Sequence, residues 1–413
     1  MAEAAARKTE VLVLDPVSPV GLKGLPGERY AVVSESAGPD VILLRSRDLH
    51  AYAFGAELKA IGRAGAGVNN IPVPKLSVRG IPVFNAPGAN ANAVKELVLA
   101  GMLMAARNIG GALEFVRALD PMAPDLGKRV ESGKKAFAGV ELPGQTLGVI
   151  GLGKIGSLVA DVAIRLGMRV LGFDPEITVD AAWGLPSQVR RARSIDEVLK
   201  GSDFVTVHVP LLEQTRHLIG AKNLAQLRPG AVLLNFSREE IVEDAAVVQA
   251  LQARRLGAYV TDFPSSATLG QAGVIALPHL GASTREAEEN CAVMVVEQLR
   301  AYLEHGDVTN AVNFPDACMP RESPYRLAIA NANVPDMLAG ISHTLGARGI
   351  NIHNMLNKSR GEMAYTLVDV DTPVGEAVLG DLRAIGGVLG VRYLPDLRPD
   401  VHWPAVAAAD TSR

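Results

Sequence analysis

Cysteine is almost missing from this chain: Cys291 and Cys318 are the two in 413 residues, and neither sits among residues with metal-ligand spacing. A disulfide framework and a cysteine metal site are thereby excluded, and a reducing, cytoplasmic setting is expected. Also lacking is an apolar run near the roughly 18 residues that cross a bilayer. The opening MAEAAARKTE is too short and polar for a signal peptide and reads as a frayed end. No charge of one sign dominates: 41 Lys and Arg against 44 Asp and Glu leave a net −3 without a basic tract. No nucleic-acid or membrane partner is therefore expected. Aromatic residues make up 4%. What is plentiful is aliphatic: 48% hydrophobic content over this length allows two or three cores, since single cores seldom exceed about 250 residues.

The most informative stretch runs from Leu147 to Asp174. An apolar run leads into GLGKIG, a helical segment, a second apolar run RVLGF and an acid. Gly151 lets a strand turn sharply, Gly153 lets backbone N–H groups approach a pyrophosphate, and Gly156 lets the helix pack on the strand. Lys154 and Ile155 open that helix, whose N-terminus carries partial positive charge toward the phosphates. Asp174 falls 23 positions after Gly151, where a carboxylate accepts the ribose hydroxyls and repels a 2′-phosphate. NAD is the expected cofactor.

Around this core the pattern is α/β. Strands are expected near VLVLD, VILLRS, AIGRAG and IPVFNAP, and again near VTVHVP, AVLLNFS, AYVTDF and VIALPH. Residues 119–143, polar and rich in Gly, Lys and Pro, suit a crossover loop, and the helix-forming EAEENCAVMVVEQLRAYLEHG returns the chain to the first lobe. The expected division is a split lobe of residues 1–106 and 288–318, a Rossmann lobe of 107–287, a third unit of 325–395, and a tail of 396–413 in which Trp403 is the one residue suited to docking.

Several motifs in one order resemble the D-isomer-specific 2-hydroxyacid dehydrogenases over about residues 40–395: GLGKIG, LLNFSREEIVED, PHLGAST, GRAGAGVNN and VFNAPGANANAVKELV. The third unit, reading strand, helix, strand, strand from Tyr325, resembles an ACT domain, the ferredoxin-like amino-acid sensor carried by some of these enzymes. The resemblance implies two Rossmann-like lobes plus an α+β regulatory domain. It further implies NAD-dependent oxidation of 3-phospho-D-glycerate to 3-phosphohydroxypyruvate on the path to L-serine, in a homo-oligomer.

It also implies roles. His279, at the end of VIALPH, would take the hydroxyl proton near neutral pH. Arg238 would fork onto the carboxylate, although Glu239 and Glu240 beside it offer a local ion pair instead. Val209, Pro210, Phe236, Ser237 and Gly281 would line the cofactor, and Asp262, or Thr261 beside it, would contact the nicotinamide carboxamide. RSR (Arg45, Ser46, Arg47) and GAG (Gly65, Ala66, Gly67) follow apolar strands and would receive phosphate and carboxylate, with Arg63 and Asn90 as lesser substrate contacts. One feature of the family is missing. The glutamate that orients the histidine has no counterpart, for Ser265 and Ser266 stand there and no carboxylate occurs from Pro264 through Ala282. Either turnover is slower, a carboxylate arrives from elsewhere, or another group shares the proton work, with Lys95 the candidate; a solvated lysine on a helix turn is the plain alternative.

In the third unit Asn333 and Asn351 flank a helix and would bind L-serine between two such units, against which Asp336 adds a carboxylate and Asn331 stands where relatives carry histidine. An assembly-only role is the alternative. Two other functions compete: a D-2-hydroxyacid dehydrogenase acting on glycerate, lactate or 2-hydroxyglutarate, and a non-catalytic NAD-sensing binding protein.

Overall fold

The computed structural model describes residues 7–396, so the expected docking of Trp403 lies outside the described residues. The chain divides into two units. Unit 1 holds the residues up to Ala89 and those from Glu288 onward, and unit 2 is Asn90–Ala287.

Unit 1 contains a five-stranded parallel sheet of β1 (Thr9–Val13), β2 (Tyr30–Val33), β3 (Val41–Leu44), β4 (Ala60–Arg63) and β5 (Val83–Phe84), in the order β2-β1-β3-β4-β5. All four residues of β3 are buried, as an apolar run covered on both faces requires. The helix Arg285–His305 covers one side, placing Ala292, Val295, Val296 and Leu299 in the core with Val11, Val41 and Leu43.

Unit 2 carries seven parallel strands: β6 (Thr146–Ile150), β7 (Arg169–Phe173), β8 (Arg190–Arg191), β9 (Phe204–Val207), β10 (Ala231–Asn235), β11 (Leu256–Thr261) and β12 (Val274–Ala276). Their order, β12-β11-β10-β9-β6-β7-β8, reverses between β6 and β9, and that switch point is where such sheets open a crevice at their carboxyl ends. The helix Ala91–Ala106, which the sequence pattern attaches to the first lobe, packs Val94, Val98 and Met102 into the unit 2 core with Val149, Phe236 and Val260. Residues 119–143 are not a continuous loop. They contain the helix Leu126–Gly133, whose polarity hid it and whose exposed face carries the i,i+4 pair of Asp125 with Arg129 at 2.8 Å.

The C-terminal part of unit 1 is a separate antiparallel sheet of β13 (Tyr325–Ala332), β14 (Ile352–Arg360), β15 (Met363–Val370) and β16 (Val388–Pro395), ordered β14-β15-β13-β16. With the helices Met337–Ala347 and Glu376–Arg383 this is a ferredoxin-like α+β domain. It adds a second helix and a fourth strand to the strand, helix, strand, strand read from sequence. At its base Arg326, fully buried, is paired with the buried Asp369 and donates to the carbonyls of His305, Met319 and Pro320. A buried guanidinium is tolerated because its donors find partners in this way.

Candidate active site

At the switch point the glycine turn has the geometry its sequence demands. Gly151 sits at φ +91°, a conformation that side chains disfavour, and a Cβ there would strike the carbonyl of His208. A Cβ on Gly156 would strike the Gly151 carbonyl, whereas one on Gly153 would meet nothing within 4 Å. Two glycines are thus required by protein packing, and the third leaves open space at the N-terminus of the helix Lys154–Arg165. Open space beside free helix N–H groups fits a pyrophosphate. Asp174 directly follows β7, where its Oδ2 accepts from Leu152 N at 2.8 Å and its Oδ1 from Glu176 N at 3.0 Å. The half-buried carboxylate keeps lone pairs for ribose hydroxyls. These residues fit NAD. His208, overlooked in the sequence, closes the turn: its N–H donates to Ile150 O at 2.7 Å, and burial pushes its imidazole pKa down to about 3.

After β10 the chain turns through Phe236, Ser237 and Arg238. Buried Asn235 organises that turn, accepting from Ser237 N at 3.1 Å and donating to Arg238 O at 2.9 Å. Ser237 Oγ donates to Val207 O at 2.7 Å, which ties the turn to β9, just ahead of Val209 and Pro210. Arg238 is exposed, and its Nη1 donates to Ser237 O at 2.6 Å. The neighbouring acids do not claim it among the described residues, for Glu240 faces Arg216 at 3.8 Å. Its planar fork stays available to a carboxylate.

The histidine turn follows β12. His279 has φ +57°, a left-handed conformation uncommon outside glycine, and its exposed ring stands 4.9 Å from that of Phe263. Asp262 holds this turn. Its backbone carbonyl accepts from His279 N at 3.0 Å, and its carboxylate accepts from Leu280 N at 2.7 Å and Gly281 N at 2.8 Å. Only 1% of Asp262 is exposed. Burial raises its pKa, and the two N–H groups and the nearby His279 oppose that rise. Asp262 does not replace the acid that the sequence lacks: its carboxylate holds the backbone of the turn and makes no bond to the imidazole among the described residues. Thr261 is turned inward, accepting from Phe263 N at 3.0 Å. Ser265 bonds Thr268 at 3.0 Å and so serves its own loop. Val94, on the first turn of the helix Ala91–Ala106, lies 3.4 Å from where a Cβ on Gly281 would sit. That turn also carries Asn90, an N-cap whose side chain makes no capping bond, and Lys95, whose Nζ donates to Asn92 Oδ1 at 2.6 Å.

In unit 1 the anion candidates gather at the carboxyl ends of β3 and β4. Asp15 Oδ2 accepts from the backbone N–H groups of Arg45, Ser46 and Arg47 at 2.9, 2.8 and 2.7 Å, so these amides are already filled. The phosphate reading of this loop accordingly passes to its side chains. Arg45 pairs with Glu288 at 2.6 Å, Arg47 is largely exposed, and Arg63 donates to Arg45 O at 3.0 Å. Gly65 N is taken by Arg63 O, whereas the N–H groups of Ala66 and Gly67 have no backbone acceptor among the described residues. Asn85, overlooked in the sequence, fixes that loop by donating to Ala66 O at 2.5 Å.

In the C-terminal sheet a cavity of about 260 Å³ is lined by Asn331, Asn333, Asp336 and Asn357. Asn333 Nδ2 donates to Gly361 O at 3.0 Å, and Asp336 sits at φ +61°. Asn351 does not line this cavity, and instead donates to Asp371 at 2.8 Å.

Comparison with known proteins bears on the whole arrangement. The model of the D-isomer specific 2-hydroxyacid dehydrogenase NAD binding domain matches residues 99–281. The D-3-phosphoglycerate dehydrogenase of Escherichia coli is 32% identical over 351 residues, covering 82% of each chain. That of Methanocaldococcus jannaschii is 36% identical over 344 residues, covering 77% of this chain and 62% of the relative, so the match spans about three fifths of that longer protein. An NAD+-bound 3-phosphoglycerate dehydrogenase structure from Entamoeba histolytica superposes with a TM-score of 0.58 at 24% identity, covering 74% of this chain and 99% of the other. No single helix among the described residues is long and apolar enough to cross a membrane. The chain belongs to the D-isomer specific 2-hydroxyacid dehydrogenase family, and unit 2 is its NAD binding domain.

Proposed function

We propose that this protein oxidises 3-phospho-D-glycerate to 3-phosphohydroxypyruvate, opening L-serine synthesis. The observation that carries the reading is the exposed His279 ring, fixed in a left-handed turn by a buried carboxylate at the carboxyl end of the NAD-binding sheet. Bound NAD supplies the hydride acceptor. Gly151, Gly153 and Gly156, with the N-terminal turn at Lys154 and Ile155, receive its pyrophosphate, and Asp174 takes the ribose. Val209, Pro210, Phe236, Ser237 and Gly281 line its course. Arg238 binds the substrate carboxylate and draws electron density from the carbon that becomes a ketone, while His279 takes the hydroxyl proton. The side chains of Arg45, Ser46 and Arg47, with Arg63, Ala66 and Gly67, receive the phosphate, and Asn90 is a further substrate contact. Lys95 is assigned a share of the proton work because Asn92 holds its ammonium on the helix turn nearest Gly281.

The C-terminal domain is assigned as an ACT domain with L-serine as effector, Asn333 and Asn351 binding it between subunits of a cytoplasmic homo-oligomer. The pairing of Asn351 with Asp371 within one chain would have to open for this. NADH formation by the full chain with 3-phospho-D-glycerate against unphosphorylated D-glycerate, with and without serine, tests the whole. A large preference for the phosphorylated acid and inhibition by serine are expected. Preference for D-glycerate would transfer the chain to a neighbouring activity of the family, and the absence of turnover with either acid would favour an NAD-sensing role.

A further inference from the structure

We propose that unit 1 contains a second anion site, at the opposite end of β4 from the substrate loops, that takes a small ligand bearing two or more negative charges. A cavity of about 400 Å³ lies where the parallel sheet of unit 1 meets β16 of the C-terminal domain. Lys59 and Arg79 line it from one side, Arg383 and Arg392 from the other, and no acidic residue is among its lining. Two of the four charges are offset nearby, Lys59 by Asp40 at 2.9 Å and Arg383 by Glu376.

The other two have no acidic partner among the described residues. Arg79 donates to the carbonyls of Phe54 at 3.2 Å and Gly55 at 2.6 Å, and Arg392 to those of Tyr302 at 2.9 Å and Leu303 at 3.0 Å. Carbonyl partners orient a guanidinium without cancelling its charge, so about two positive charges remain facing one concave space. Both groups are preorganised: the Arg392 guanidinium also stacks 4.2 Å from the centre of the Tyr302 ring. The wall between them is rigid. Gly80, at φ +70°, brings its backbone so close to β16 that a Cβ there would lie 3.0 Å from the Leu389 carbonyl carbon. A concave wall with fixed, uncompensated guanidinium groups suits a phosphate ester or a dicarboxylate, which arginine forks bind in bidentate fashion. Because one wall belongs to the sheet that carries Arg45 and Arg63 and the other to the C-terminal domain, a bound anion would clamp the two together.

The test is calorimetric titration of the full chain with sodium pyrophosphate, and separately with sodium malonate, at constant ionic strength set with sodium chloride. The substrate loops bind anions too, so the comparison is with Arg79→Gln, in which those loops are unchanged. Wild type should show one more saturable event than the variant, or affinity at least about tenfold higher, the equivalent of losing one charge-assisted fork. Response to pyrophosphate alone would identify a phosphorylated ligand, and response to both a less selective polyanion site; either supports the proposal. Identical isotherms for wild type and Arg79→Gln would overturn it. Should Arg79→Gln fail to fold, the exposed Arg383→Gln carries the same comparison with a loss of about threefold, and an unchanged isotherm there would be equally decisive.

Discussion

Asp15 and Asp262 perform the same local task in different sheets, and their carboxyl pKa values move in opposite directions. Each stands at the carboxyl end of a parallel strand and gathers backbone N–H groups from another loop, three for Asp15 and two for Asp262. Burial opposes ionisation of both. At Asp15 that penalty is outweighed by the amides of Arg47, Arg45 and Ser46 and by the Arg47 charge, so its carboxyl is held below the usual range. At Asp262 burial wins, and its carboxyl is held above it. Hydrogen bonds to backbone therefore do not set a carboxyl pKa by themselves; burial and neighbouring charges contribute to its direction. In functional terms Asp15 shapes an arginine loop that faces water, whereas Asp262 fixes the turn that carries a histidine.

Removing the buried member should do the most damage. Asp262→Ala leaves the N–H groups of Leu280 and Gly281 unpaired, at about 1–3 kcal/mol each if they stay buried, and releases the turn that aims His279. We expect turnover to fall by about 10²-fold, the scale on which misplacing a reacting group acts, with a lowered Tm. Full activity in this variant would remove Asp262 from the account. Asp174 sharpens the contrast as a third carboxylate at a sheet end, bonded to backbone yet half-open to solvent. Asp174→Ala should narrow the preference for NAD over NADP, measured as the ratio of kcat/KM values, by about tenfold, or about 1.4 kcal/mol. An enzyme that already prefers NADP contradicts that role. Asp15→Asn should be milder, costing about 0.5–1.5 kcal/mol of stability by denaturant unfolding and weakening substrate affinity more than turnover.

The pH dependence separates the two most finely. The low carboxyl of Asp15 contributes stability that is present above the ordinary carboxylate range and is lost as pH falls through its depressed folded value. The raised carboxyl of Asp262 works in reverse, contributing fully in acid and losing its share as pH rises through the raised value. From about pH 3 to 6 the stability gap between wild type and Asp15→Asn should widen while that to Asp262→Asn narrows. Parallel curves would mean that the two environments do not differ as described.

Legibility in the sequence followed the range of the interactions. The glycine turn and its acid were readable because Gly151, Gly156 and Asp174 answer to strand, turn and helix geometry within one βαβ unit. The strand ends carrying Arg45, Arg238 and His279 were readable from apolar runs that stop at polar residues. Asp15 was not, because the amides it satisfies lie 30 to 32 residues away and a carboxylate after a strand looks like any solvated end. Asn235 and Asn85 were overlooked for the same reason, as buried amides whose partners are backbone atoms that no side-chain pattern reveals. β8, two exposed arginines, carries no apolar signal at all. Asp262 was singled out for the nicotinamide, and its bonds to the histidine turn appear only once β11 and β12 are paired.

The most direct test of His279 as the proton acceptor is His279→Gln measured twice, once for turnover and once for NAD binding by protein fluorescence. Turnover lower by about 10² to 10⁴-fold with NAD affinity unchanged is the expected result. Turnover close to wild type, or NAD affinity lost along with it, would contradict the assignment.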